Sequence, residues 1–135
     1  MVRNNHFRDV CLTVLMLGVV AMVAAPSQAD PALGLELMRD SAKGNCSICH
    51  LIPGIGLSED AQGNIGPSLE GVGERLSPQE LTERIVDARR FNPDTVMPPY
   101  GTIEGLVDVD RRYEGRPILT DDEIAAIVSY LSDIR

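Results

Sequence analysis

Cys46-Ser47-Ile48-Cys49-His50 constrains this chain more than any other stretch. It places two thiols three residues apart, on one helical turn, with an imidazole on the next residue. Three uses of a C-x-x-C pair compete. A zinc site needs four ligands, and beyond this stretch residues 30–135 hold no other cysteine or histidine. A thioredoxin-like redox site sits in a βαβ setting, and no strand alternation is present to build one. C-x-x-C-H is the remaining pattern: each thiol can form a thioether with one porphyrin, and the histidine meets the iron from the same side. The motif therefore predicts one covalently attached haem c, bound through Cys46 and Cys49, with His50 as a ligand to the iron.

Residues 1–29 stand apart from the rest. Arg3 and Arg8 accompany an apolar run from Val10 to Ala25, and Ser27-Gln28-Ala29 follows. A basic start, an apolar middle and small residues two apart form a secretory signal peptide, with cleavage expected after Ala29. The run falls short of the ~20 apolar residues that a membrane span needs, so no stable membrane anchor is expected. Cys11, at the start of that run, leaves with the leader. Residues 30–135 then form a single domain destined for the periplasm, an oxidising compartment where two cysteines would ordinarily pair. Haem attachment is the better use of both.

Composition agrees. The exported segment has four aromatic residues, Phe91, Tyr100, Tyr113 and Tyr130. A domain this small with so few large side chains has a thin core, and a porphyrin would supply the missing apolar bulk. Without Arg3, Arg8 and Asp9 the formal charge moves from −8 to −9, which argues against a nucleic-acid partner or an anionic membrane surface. Arg89, Arg90, Arg111, Arg112 and Arg116 read as solvated surface.

Where the pattern is periodic it is helical, which predicts an all-α fold of about three main helices with long loops around the haem. A first helix is expected from about Leu33 to Lys43, with Leu33, Leu37 and Met38 inward and Gly44 as its stop. Leu51 to Glu74 is irregular and glycine-rich, a long loop of the kind that needs a purpose such as wrapping a prosthetic group. Ser77-Pro78-Gln79-Glu80 carries an N-cap, a proline at the first helical position and a capping box, with Leu81, Ile85 and Ala88 as the apolar stripe behind it. Thr120 and Glu123 form a second capping box, followed by Ile124, Ile127, Val128, Leu131 and Ile134 on one face.

Haem iron needs a sixth ligand or an open site. With His50 committed, the candidates are Met38 and Met97. Met38 lies in a helical stripe and suits core packing. Met97 lies in Asp94-Thr95-Val96-Met97-Pro98-Pro99-Tyr100, where two prolines stiffen an irregular segment that can hold a thioether against iron. His50/Met97 ligation raises the reduction potential and closes the iron to substrate. It points to electron transfer, and no constellation for catalysis by this chain alone remains once the cysteines and histidine are used.

Ile65-Gly66-Pro67-Ser68-Leu69, with Arg75 beyond it, resembles a segment of class I cytochromes c. In that family the proline carbonyl accepts a hydrogen bond from the ligating histidine, and an arginine eight residues later reaches a haem propionate. The resemblance assigns those roles to Pro67 and Arg75.

More of the chain resembles SoxX, the small c-type cytochrome of the SoxAX complex of bacterial sulfur oxidation. The matching pieces include Lys43-Gly44-Asn45-Cys46, Ile52-Pro53-Gly54, Gly63 through Gly73, Arg84-Ile85-Val86-Asp87, Asn92 through Pro99, and Pro117-Ile118-Leu119-Thr120. The resemblance implies a periplasmic heterodimer with a SoxA-like c-type cytochrome. That complex, an L-cysteine S-thiosulfotransferase, joins thiosulfate oxidatively to a cysteine of a SoxYZ-like carrier protein. The catalytic cysteine lies on the partner, and the SoxX-type haem passes electrons to a soluble cytochrome c. Tyr100-Gly101-Thr102 departs from the family pattern and leaves the contacts around the methionine open. Two other readings of the residues stay open: a free-standing shuttle to a respiratory oxidase, and a haem sensor or peroxidase-like protein whose methionine leaves the iron.

Overall fold

The computed structural model describes residues 29–135, and the leader assigned to residues 1–29 lies almost wholly outside them. Four α-helices appear: α1 (Pro31–Arg39), α2 (Val72–Arg75), α3 (Pro78–Asp87) and α4 (Asp121–Ser132). Short 3-10 turns lie at Cys46–Ile48, Glu59–Ala61, Ala88–Arg90 and Arg111–Tyr113, and the described residues contain no strand. No helix among them is long and apolar enough to cross a membrane.

The capping chemistry sets the helix starts. The Ser77 and Thr120 side chains accept the N–H groups of Glu80 and Glu123, and those glutamates return the bond to the cap N–H groups, so both capping boxes form. Each cap is worth ~1 kcal/mol. Helix α4 is the spine. Ile124, Ala126, Ile127, Val128 and Leu131 on it are buried, with Ile134 just beyond, and α1, α2 and α3 all pack against it.

Helix α1 ends at Arg39, four residues before the expected limit, and its inner face differs from the reading of its sequence. Leu33 is 43% exposed while Gly34, Leu37 and Met38 are buried. The reason is close approach. A Cβ on Gly34 would overlap the Ala126 backbone of α4, so the smallest residue, not the largest, sits where the two helices cross.

The loop from Leu51 divides in two. Its first half folds into the core: Ile52 and Ile55 are fully buried, Gln62 Oε1 accepts the Ile52 N–H at 2.7 Å, and Arg39 donates to the Ile55 carbonyl. Its second half lines a cavity and ends in α2, a short helix the sequence pattern had not suggested.

Candidate functional site

Cys46 opens a tight turn. The N–H groups of Cys49 and His50 both donate to its carbonyl, at 3.1 and 3.0 Å, so the two thiols and the imidazole follow from one turn of backbone. The two cysteines form no disulfide. Burial pushes the Cys46 thiol up to about 11, opposite to the lowered thiol of a redox-active C-x-x-C pair.

Three backbone bonds then lay the second half of the loop beside this turn. Gly63, Gly66 and Leu69 donate to the carbonyls of Ser47, Cys49 and Leu51, each at 2.8 Å. The register brings Gly66-Pro67 against His50. His50 Nδ1 lies 2.7 Å from the Pro67 carbonyl oxygen. An oxygen with no proton of its own can only accept, so Nδ1 carries the hydrogen and Nε2 keeps a lone pair. A Cβ on Gly66 would come within 2.6 Å of Nδ1. Glycine is needed there because the imidazole fills the space.

Met97 arrives from the other end of the sequence. Its N–H donates to Thr95 Oγ1 at 3.2 Å, and the segment after it is tied to α3: Tyr100 and Gly101 donate to the carbonyls of Ile85 and Val86, both at 3.2 Å. Leu119 closes the arrangement by donating to the Tyr100 carbonyl at 3.0 Å. The Tyr100 hydroxyl donates to the Gly44 carbonyl at 2.8 Å and so joins the methionine loop to the approach to Cys46. Burial raises the Tyr100 hydroxyl above its ordinary pKa, which keeps it a donor. Here the Tyr100-Gly101 departure proves to be a structural tie, and nothing in the local sequence announced its distant partner.

These elements surround a cavity of about 540 Å³. Cys46, His50, Pro67, Arg75 and Met97 all line it, and Cys49 lines a small cleft alongside that also touches Cys46, His50 and Met97. Much of the remaining wall is aliphatic and comes from all four helices, with Met38 on α1, Val72 on α2, Leu81 and Ile85 on α3, and Ile127 and Leu131 on α4. Met38 is thus fully buried and also faces the cavity. The Arg75 guanidinium donates to the carbonyls of Glu70 and, at 3.2 Å, Ser68, where it braces the turn into α2.

A second arginine, missed in the sequence, lines the same cavity. Arg84 Nε is buried with no hydrogen-bond partner among the described residues. Only its spacing of three residues from Leu81 hinted at an inward position. An apolar cavity with two cysteines and an imidazole on one wall, a thioether on its rim and an arginine whose buried Nε has no partner fits a porphyrin that carries carboxylates.

Comparison with known proteins agrees with this chemistry. A curated relative, an uncharacterized lipoprotein of Aquifex aeolicus (strain VF5), is 40% identical over 95 residues, 69% of this chain but 38% of that protein. The chain therefore spans well under half the length of that relative. A chain in the crystal structure of SoxXA from P. pantotrophus superposes with a TM-score of 0.69 at 27% identity, over 81% of this chain and 84% of that one. The fold is the helical class I cytochrome fold, and the C-x-x-C-H of Cys46 to His50 fits covalently attached haem c. The family model for cytochrome c matches residues 32–135, and the chain belongs to that family.

Proposed function

We propose that this chain is the electron-relay subunit of an exported SoxAX-type complex that oxidatively couples thiosulfate to a carrier-protein cysteine. The observation that carries this reading is the similarity to the SoxXA structure over more than four-fifths of each chain. A signal peptide over residues 1–29 would deliver the domain, residues 30–135, to the periplasm. The lipoprotein relative, by its name an exported protein, supports that route.

Bound haem supplies a one-electron iron couple. The protein side follows from the geometry above. Cys46 and Cys49 tether the porphyrin. The Pro67 carbonyl holds the His50 ring in one tautomer, with Nε2 presented to the metal, and makes that nitrogen more basic. Met97, braced through Thr95 and the α3 carbonyls, is the residue that would offer the iron a thioether, which would favour the reduced state. The aliphatic wall excludes water. No thiol is left for sulfur chemistry, so the reactive cysteine belongs to a SoxA-like subunit, and a soluble cytochrome c takes the electrons onward.

Affinity purification of the tagged chain from its native host tests this. The expected result is a second c-type cytochrome in a stoichiometric complex, whose haem on this chain is reduced by thiosulfate only with the carrier protein present. A monomer with no second haem protein would overturn the reading in favour of a free-standing shuttle.

A further inference from the structure

We propose that residues 102–117 form a strap that holds the methionine segment against the haem cavity, with Tyr113 as the positioning residue that fastens it. The inference rests on Met97 as the axial ligand and is independent of the sulfur-oxidation reading.

The strap is an excursion between the methionine segment and α4. Its base is closed where Leu119 donates to the Tyr100 carbonyl at 3.0 Å. It contains one 3-10 turn, Arg111–Tyr113, and none of its residues is buried. Val107 is 84% exposed. A segment that buries no apolar side chain has little of its own to keep it in place, so its position depends on its fastenings. There are two. At one end Arg89 donates to the Glu104 carbonyl at 2.9 Å, and buried Asp87 takes the same guanidinium through both oxygens, at 2.7 and 2.9 Å. At the other end the Tyr113 hydroxyl donates to the Ala42 carbonyl at 2.6 Å, across 71 residues of sequence. That anchor is itself pinned. Lys43 pairs with Glu123 on α4 at 2.6 Å, and the Gly44 carbonyl accepts the Tyr100 hydroxyl at 2.8 Å.

Between its fastenings the strap stands behind Met97. Leu106, Val109 and Tyr113 share a cavity of about 240 Å³ with Pro98 and Pro99. Met97 lines the haem cavity, and the two residues after it line this second one. Proline backbones are stiff, so a thioether that withdraws from the haem cavity carries Pro98-Pro99 into the space that the strap bounds. The strap therefore links the end of α3 to the approach to Cys46 and limits that withdrawal.

The functional consequence is a closed iron. A fastened strap keeps the thioether in place while the electron comes and goes, and an unfastened one lets an outside ligand compete for the metal. The coupling is reciprocal: whatever free energy the strap lends to the methionine contact, displacing the methionine takes from the strap.

The experiment titrates the purified oxidised holoprotein with imidazole and follows loss of the thioether–iron charge-transfer band. Tyr113→Phe keeps the ring and removes the hydroxyl. Tyr130→Phe is the control, because its hydroxyl donates to the Pro53 carbonyl at 3.3 Å, away from the strap. Tyr113→Phe should bind imidazole about fivefold more tightly than the parent, the equivalent of a hydrogen bond worth ~1 kcal/mol, with Tyr130→Phe unchanged. A Tyr113→Phe affinity equal to the parent's overturns the proposal, and so does an equal gain in Tyr130→Phe, which would mean a general loosening. The unmodified protein gives a second test. Saturating imidazole should speed amide hydrogen exchange across residues 102–117, and unchanged exchange there overturns the coupling. Failure of the ligand assignment would look different, as parent protein without the charge-transfer band, and the proposal would fall with it.

Discussion

The two walls of the haem cavity are built in different ways. The attachment wall is local. Five contiguous residues form one turn, and three bonds of 2.8 Å zip the next loop against it. The methionine wall is assembled from a distance. Asn92 to Gly101 has no helix or strand of its own and is held by carbonyls of α3, by Leu119, and by a tyrosine whose acceptor lies 56 residues earlier. Val96, beside Met97, is 78% exposed. The first wall can form as soon as the turn forms. The second exists only when α3, the last helix and the start of the motif are all in place, so it should be the wall that opens first.

The largest effect should come from breaking the attachment wall. A Cys46→Ser/Cys49→Ser variant should accumulate no covalent haem and lose most of its helical circular dichroism. Without the porphyrin the apolar wall of a cavity of about 540 Å³ is left facing water, in a small domain with only ~5–15 kcal/mol of stability to lose. A native-like spectrum for that variant would show that the helices hold without the cofactor.

Met97→Ala should act on the second wall alone. The haem should stay attached, but the thioether–iron charge-transfer band of the oxidised protein should vanish, and the reduced protein should bind carbon monoxide. An unchanged band would exclude Met97 as the ligand and return attention to Met38, which faces the same cavity.

The smallest effect is expected from Tyr100→Phe, which cuts the hydrogen bond that joins the methionine loop to the approach to Cys46. It leaves the carbonyl of buried Gly44 without its donor and should cost about 1 kcal/mol. Guanidinium unfolding should register this loss with the charge-transfer band retained. A null result would mean that the α3 carbonyls alone hold the methionine loop.

Much of this was legible in the residues. The two capping boxes set the starts of α3 and α4 because the bonds involved span only three residues. The apolar stripes of α3 and α4 follow from the period of a helix. The C-x-x-C-H turn is likewise local. What was not legible depends on meetings between distant segments. Leu33 looked like the inward residue of α1 until the crossing with α4 required Gly34 there. The irregular loop after His50 gave no sign that Ile52 and Ile55 would fill the core while Pro67 to Leu69 lined the cavity. Arg75 lines the cavity and also braces the turn into α2, while the arginine with a buried, unpartnered Nε is Arg84.

By itself the sequence determined the cofactor chemistry, the starts of α3 and α4 and, for residues 30–135, the single histidine committed to the cofactor and the absence of a spare thiol. These are matters of residue type and short spacing, and contacts within one turn need no knowledge of the rest of the chain. Only the tertiary structure decided which glycine lets α1 meet α4, what anchors the loop of Met97 and which arginine brings a buried Nε to the cavity wall. Each of those depends on two segments far apart in sequence arriving at one place, and no periodicity records where a distant neighbour will be.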